Sequence, residues 1–213
     1  SRADLAHCFV KKETGATTVA ATMIIADLAG IKIFATGGIG GVHKFAEKTF
    51  DISADLQELA KTGISVVCAG PKAILDIPKT LEVLETLGVP VITFGQTNLP
   101  AFWSSDSPFI SPLSLDNPSL IAKSHELRKE LGLSGGQLIA NPISKKDQIP
   151  FETIEPIIME AVKSANEQNI IAKEVTPFVL SQINQLTKGK SLLANIALIK
   201  NNAKLASKIA LCF

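Results

Sequence analysis

Short apolar runs rich in β-branched residues, bounded by Gly or Pro, alternate along the chain with longer stretches whose apolar positions recur at helical spacing. A run that is apolar at successive positions suits a strand buried on both faces, the condition of a parallel sheet crossed by helices. The pattern predicts strands over 31–35, 64–69, 89–94 and 137–140, with helices over 16–28, 54–61, 73–87 and 119–131. From Pro150 it is mostly helical, over 151–168, 176–186 and 191–209, the last behind a Lys-Gly-Lys-Ser turn with Ser191 as N-cap. These C-terminal helices are expected to cover one sheet face. The fold class is therefore α/β: an α/β/α sandwich with a largely parallel central sheet, right-handed crossovers and a helical C-terminal part. Residues 97–118 are rich in Ser, Pro and Asn yet carry Phe102, Trp103 and Phe109, too many aromatics for a solvated linker. They predict a long packed loop, serving as an oligomer contact or a lid.

Composition narrows the function classes. Lys and Arg total 21 against 20 for Asp and Glu, a net charge of +1 that disfavours a nucleic-acid surface driven by bulk charge. Hydrophobic residues make up 46% of the 213, enough for a core and too many for a disordered chain, so one domain over 1–213 is expected. Mean hydropathy is +0.28. Even so, charged residues, Pro or Gly interrupt each apolar run before the roughly 18 residues a membrane-spanning helix needs. Cys8, Cys68 and Cys212 are odd in number and lack a C-x-x-C pair, which argues against a disulfide scaffold or a structural zinc. A reducing, intracellular setting follows, most simply the cytoplasm. The chain opens Ser-Arg-Ala-Asp without Met or a basic-then-apolar signal, and reads as a processed or truncated start.

Candidate chemistry begins where Ala35-Thr36-Gly37-Gly38-Ile39-Gly40-Gly41-Val42-His43 follows a predicted strand. Its glycines would let the backbone approach a ligand and turn N–H groups toward an anion; a tight turn without a ligand is the alternative. G-x-G-x-x-G fails, because His43 stands at its third glycine. His43 by itself is a packed or surface histidine, or a catalytic one. In Asp51-Ile52-Ser53-Ala54-Asp55 a helix starting near Ser53 leaves Asp51 just outside and Asp55 in the first turn, with both carboxylates able to face one mouth. They are helix caps, or a hard-cation site for Mg²⁺ or Mn²⁺. Lys72 follows a strand through Gly70-Pro71 and is placed at a helix N-terminus among apolar neighbours, where desolvation and the dipole favour a neutral amine, a nucleophile toward carbonyl carbon. Elsewhere such a lysine is simply solvated. Thr17-Thr18-Val19 starts a helix with small and hydroxyl side chains, suited to tight packing or to a phosphate. Asn195, an amide among apolar helix neighbours, either orients a substrate or bonds a backbone carbonyl.

These segments, in this order, resemble the pseudouridine-5′-phosphate glycosidase family, which includes proteins named for indigoidine biosynthesis. The matching text is Gly15-Ala16-Thr17-Thr18-Val19-Ala20-Ala21-Thr22, Phe34 through His43, Asp51 through Leu59, Val66-Val67-Cys68-Ala69-Gly70 with Lys72, Asn141-Pro142-Ile143, Val175-Thr176-Pro177-Phe178 and Ala194 through Leu198. It spans essentially the whole chain. The resemblance implies cleavage of the C–C glycosidic bond of pseudouridine 5′-phosphate with water, giving uracil and ribose 5-phosphate reversibly, with a divalent cation, usually Mn²⁺. It implies Lys72 as the Schiff-base nucleophile, His43 as a catalytic pocket residue and Asp51 as the metal ligand. Val19, Thr18, Thr36, Ser53, Ala54, Asp55 and Asn195 are implied as substrate contacts, and a homotrimer as the assembly. Such a C-glycoside lacks the leaving heteroatom on which two-carboxylate glycosidases act, which accounts for a lysine.

Two departures stand out. Family members carry a further N-terminal segment with the glutamate proposed as general acid and a lysine that contacts substrate, and neither is in this sequence. Either a truncation removed that segment or a separate chain supplies it to complete the site. Pro71 stands where the family more often has a small residue. The remaining functional alternatives are another Schiff-base lyase acting on a phosphosugar, and a catalytically silent domain that binds a phosphorylated ligand or a partner chain.

Overall fold

The computed structural model describes residues 1–168, 170 and 174–213. Strands β1 (Ile33–Ala35), β2 (Ser65–Cys68), β3 (Val91–Phe94), β4 (Leu113–Leu115) and β5 (Gln137–Ala140) form one sheet in the order β1-β2-β5-β3-β4. Every pairing in it is parallel. Each residue of the central strands β2 and β5 is buried, the physical reason for their unbroken apolar runs. Alternation along them feeds two cores. Val66, Cys68, Leu138 and Ala140 face one side, with Met23 of α2 (Val19–Leu28), Leu56 and Leu59 of α4 (Ala54–Lys61) and Leu84 of α5 (Ile77–Thr86). Val67 and Ile139 face the other, with Ile121 of α6 (Pro118–Glu130) and Leu205 and Ile209 of α9 (Lys190–Ala210). The expected α/β/α sandwich is present.

Of the C-terminal helices only α9 lies on a sheet face. Helices α7 (Phe151–Glu167) and α8 (Val175–Leu186) instead pack on each other at the carboxyl edge of the sheet. There Ile154, Ile158 and Ala161 of α7 meet Val179 and Ile183 of α8 and the rings of Phe102 and Trp103. The expectation that all three cover one face is thus corrected, because the aromatic loop supplies the apolar surface that α7 needs. Helix α9 begins behind Gly189, at φ +83°, rather than at a Ser191 cap. Ser191 lies inside the first turn, and its N–H donates to Thr187 Oγ1.

The segment 97–118 is packed as expected, but it is not loop throughout. Trp103 and Phe102 are buried, and 113–115 form β4, too short and exposed to give an apolar run. Two short helices, α1 (Leu5–Lys11) and α3 (Ala46–Thr49), were also unpredicted, and α1 buries no residue at all. No helix among the described residues is long and apolar enough to cross a membrane.

Candidate functional site

In a parallel sheet the loops after the strands share the carboxyl edge, where ligands bind. The glycine loop after β1 occupies that edge, but its glycines are filled by protein. A Cβ on Gly38 would lie 2.7 Å from Phe102 Cε2 and 3.0 Å from the Gly70 carbonyl oxygen, and one on Gly41 2.5 Å from Thr80 Oγ1. On Gly40 it would collide with the Ser53 side chain. Several amides are also engaged: Ile39 N–H donates to Gly70 O, Gly40 N–H to Asp55 Oδ2 and Val42 N–H to Thr80 Oγ1. The loop therefore takes glycine for close backbone packing, rather than as a phosphate cradle along its whole length.

The expectation that Asp51 and Asp55 face one mouth is overturned. Asp55 is 5% exposed. Its Oδ1 accepts the Ala20 N–H and its Oδ2 the Gly40 N–H, each at 2.8 Å, so one carboxylate ties the start of α2 to the glycine loop. Ser53 caps α4, its Oγ accepting from Asp55 N–H at 3.2 Å, and its own N–H donates to Gly41 O; Ala54 opens the helix. Thr18 caps α2 through the Ala21 N–H, and Val19 is half-buried against the core. With the Ala20 N–H held by Asp55, part of the α2 amide terminus is already neutralised by a carboxylate.

His43 and Asp51 stand at the two ends of a hairpin closed by His43 N–H to Asp51 O at 3.0 Å. The His43 Nδ1 and Asp51 Oδ2 are 3.7 Å apart, an ion-pair distance beyond a hydrogen bond. Burial lowers the His43 pKa, the Asp51 charge raises it, and Lys72 lowers it again, so a neutral imidazole is favoured at pH 7 and Lys72 lies within electrostatic reach. An open cleft of about 590 Å³ between this hairpin and the α7–α8 pair is lined by His43, Phe50, Asp51, Ile74, Val162 and Val179. Lys72 lies beside that lining, not in it.

Lys72 is not at a helix N-terminus. Asp76 caps α5 and Pro78 stands in its first turn, while 71–75 pair with the glycine loop through Ile39–Pro71 and His43–Leu75 bridges. Lys72 N–H donates to Ile39 O at 3.1 Å, and no side-chain partner meets its amine among the described residues. This removes the helix dipole from the argument. What holds Lys72 near His43 is backbone pairing between two adjacent loops. The nearby Cys68 thiol is no rival nucleophile, since burial pushes its pKa up to about 12.

Among the described residues no group of three or more His, Cys, Asp or Glu could hold a metal ion. Asp51 offers a single, 40% exposed carboxylate. Such a donor set fits a hard cation whose other positions are filled by water and substrate oxygens, and does not fit a tetrahedral zinc.

Thr36 directly follows β1 and is half-buried, and its carbonyl accepts from Asn202 Nδ2 at 2.9 Å. Asn202, fully buried on α9, also accepts from Asn141 Nδ2 at 3.0 Å, joining the loop after β1 to the loop after β5. Among the described residues Asn195 bonds neither a backbone carbonyl nor another amide: its Oδ1 accepts from Trp103 Nε1 at 2.7 Å. Sequence reasoning missed Asn202, although it falls seven positions after Asn195 on the same helical stripe, and it singled out Trp103 only as part of the packed loop. It also missed Lys44, which pairs with Glu155 at 2.8 Å beside the cleft.

The family model described as "Indigoidine synthase A like protein" matches residues 1–212. The chain belongs to that family. Among its relatives, the pseudouridine-5′-phosphate glycosidase of Paracoccus denitrificans (strain Pd 1222) is 63% identical over 210 residues, 99% of this chain and 69% of that protein. The enzyme of the same name from Roseobacter denitrificans is 60% identical, over 99% of this chain and 68% of that one. Two crystal structures of family relatives share the fold. The prealnumycin C-glycosynthase in complex with ribulose 5-phosphate superposes with a TM-score of 0.93 at 33% identity, covering 100% of this chain and 70% of that one. An indigoidine synthase A-like protein from Thermotoga maritima gives 0.90 at 34% identity, covering 99% and 69%.

Proposed function

We propose that this family member is a pseudouridine-5′-phosphate glycosidase that breaks the C–C glycosidic bond through a Schiff base on Lys72. The observation that carries the activity is the 63% identity, over 99% of the chain, to a relative of that name. The lysine assignment draws on the neighbouring loops at the carboxyl edge, where an amine with no side-chain partner among the described residues lies within electrostatic reach of a neutral-leaning imidazole.

The chemistry asks for an electron donor at C1′, because the bonding pair of the C–C bond departs on the base and leaves C1′ electron-deficient. Bonding of the Lys72 amine to C1′ with breakage of the C1′–O4′ bond would open the ribose ring, the amine's proton passing to O4′; the nitrogen lone pair then lets the C–C bond break toward the base, which takes up a proton, leaving an iminium on the lysine. Water then hydrolyses the imine, releasing ribose 5-phosphate and restoring the amine. A neutral His43 is suited to move a proton at this step. Asp51 would hold Mn²⁺, which when bound supplies positive charge to substrate oxygens. Thr18, Val19, Thr36, Ser53, Ala54 and Asn195 are the proposed substrate contacts, while Asp55 acts by fixing the loops around them. A homotrimer, and a further segment completing the acid–base set, belong to the same reading; the relatives' greater length supports the segment. Cys8, Cys68 and Cys212 are all free, which supports a reducing, cytoplasmic setting.

The test is borohydride reduction of the chain incubated with ribose 5-phosphate, with and without Mn²⁺, and peptide mass spectrometry of the adduct. An adduct on Lys72, lost in Lys72→Ala, is expected; equal capture by both proteins would sink the assignment. The C-glycosynthase relative bound to ribulose 5-phosphate favours a second reading, a different C–C reaction on a phosphosugar. Release of uracil from pseudouridine 5′-phosphate separates the two.

A further inference from the structure

An asparagine amide has an accepting and a donating end, and the end that faces a pocket decides what it binds. The indole N–H of Trp103 is a donor only, and it lies 2.7 Å from Asn195 Oδ1. The reversed amide would set two donors against each other, so the tryptophan determines the orientation. Both N–H bonds of Asn195 Nδ2 are then left over, and no acceptor among the described residues takes them.

Trp103 cannot yield to the asparagine. It is 1% exposed, and its ring packs edge-on against Phe102 with centroids 5.0 Å apart. Its carbonyl accepts the Ile149 N–H at 2.9 Å, and the preceding Phe102 N–H donates to Ala69 O at 3.0 Å. Phe102 itself sits at φ +59°, a left-handed conformation kept in a non-glycine residue only where its surroundings hold it. Asn195 lies on the α9 stripe turned to the glycine loop. One turn on, Leu198 Cδ1 is 3.6 Å from where a Cβ on Gly37 would stand, and two turns on Asn202 Nδ2 donates to Thr36 O.

We infer that Trp103 is a positioning residue that locks Asn195 as a hydrogen-bond donor, so that the pocket selects an acceptor oxygen of its ligand at that point. This rests on the proposed function, which makes Asn195 a pocket residue. Two parts of that substrate offer such oxygens, the carbonyls of the pyrimidine base and the phosphate.

Trp103 is the one tryptophan of the chain, so its indole N–H gives a single ¹⁵N–¹H cross-peak. Asn195→Leu should shift that peak and speed its exchange with solvent. Uracil and ribose 5-phosphate are then titrated separately into wild type, Trp103→Phe, Asn195→Leu and the double variant by calorimetry. For the ligand whose oxygen meets Asn195, Trp103→Phe should weaken binding about five-fold, a typical hydrogen-bond loss. The double variant should bind no worse than Asn195→Leu, because the indole acts only through the amide. Should Trp103→Phe melt early, Asn195→Asp carries the test with the tryptophan intact: it offers no donor and should weaken the same ligand. Equal weakening by Trp103→Phe in both backgrounds, or binding unaffected by every substitution, overturns the inference alone. Wild-type protein that binds neither ligand and forms no lysine adduct overturns the proposed function, and the inference with it.

Discussion

Asp51 and Asp55 are the same residue type four positions apart, one before a helix and one in its first turn, and that placement alone does not tell which carboxylate is buried. The structure does: Asp55 accepts two backbone N–H groups at 5% exposure, and Asp51 keeps a 40% exposed carboxylate. Removing the Asp55 carboxylate orphans two buried donors, each costing about 1–3 kcal/mol. Asp55→Ala is accordingly expected to lose about 2–5 kcal/mol in urea denaturation, whereas Asp51→Ala stays within about 1 kcal/mol of wild type. Equal stability of the two variants would contradict the division of labour. The residue scale is also where the sequence went furthest: Lys72, His43 and Asp51, singled out by position and family resemblance, lie on adjoining loops. Their surroundings were not legible, since helix placement of Lys72 depended on where the helix starts.

Helix α4 and strand β5 have the boundaries the sequence predicts, because each has an uninterrupted pattern, and a capping Ser53 starts the helix. Helix α5 begins later than predicted because residues 71–75, though apolar enough for a helical turn, pair with the glycine loop. That loop reads in sequence as a ligand cradle, but tight packing against the aromatic loop explains its glycines equally well. Gly38→Ala would press a methyl onto the Phe102 ring and the Gly70 carbonyl, both buried, and is expected to cost about 1–3 kcal/mol. Gly63→Ala, with open space at the added carbon, should change stability by less than about 0.5 kcal/mol. Denaturation midpoints of the two variants, measured side by side, check both.

On the scale of the whole molecule, several large apolar side chains remain uncovered: Val10 is 83% exposed, Leu28 84% and Phe50 83%. Apolar surface of this kind suits a protein partner. With the proposed homotrimer, light scattering should give about three times the 22.6 kDa chain mass, and a steady 22.6 kDa would refute it. The sequence by itself determined the fold class, because two-faced burial writes continuous apolar runs and those runs dictate parallel strands, whose carboxyl ends carry the loops of the candidate site. It also determined the family, through motifs that lie along the chain. Only the tertiary structure decided which carboxylate turns inward, that Lys72 is held by loop pairing rather than by a helix, and that Trp103 meets Asn195. Those contacts join residues as far apart as 103 and 195. Local periodicity reports which face of an element is buried, but not which distant side chain it will meet there.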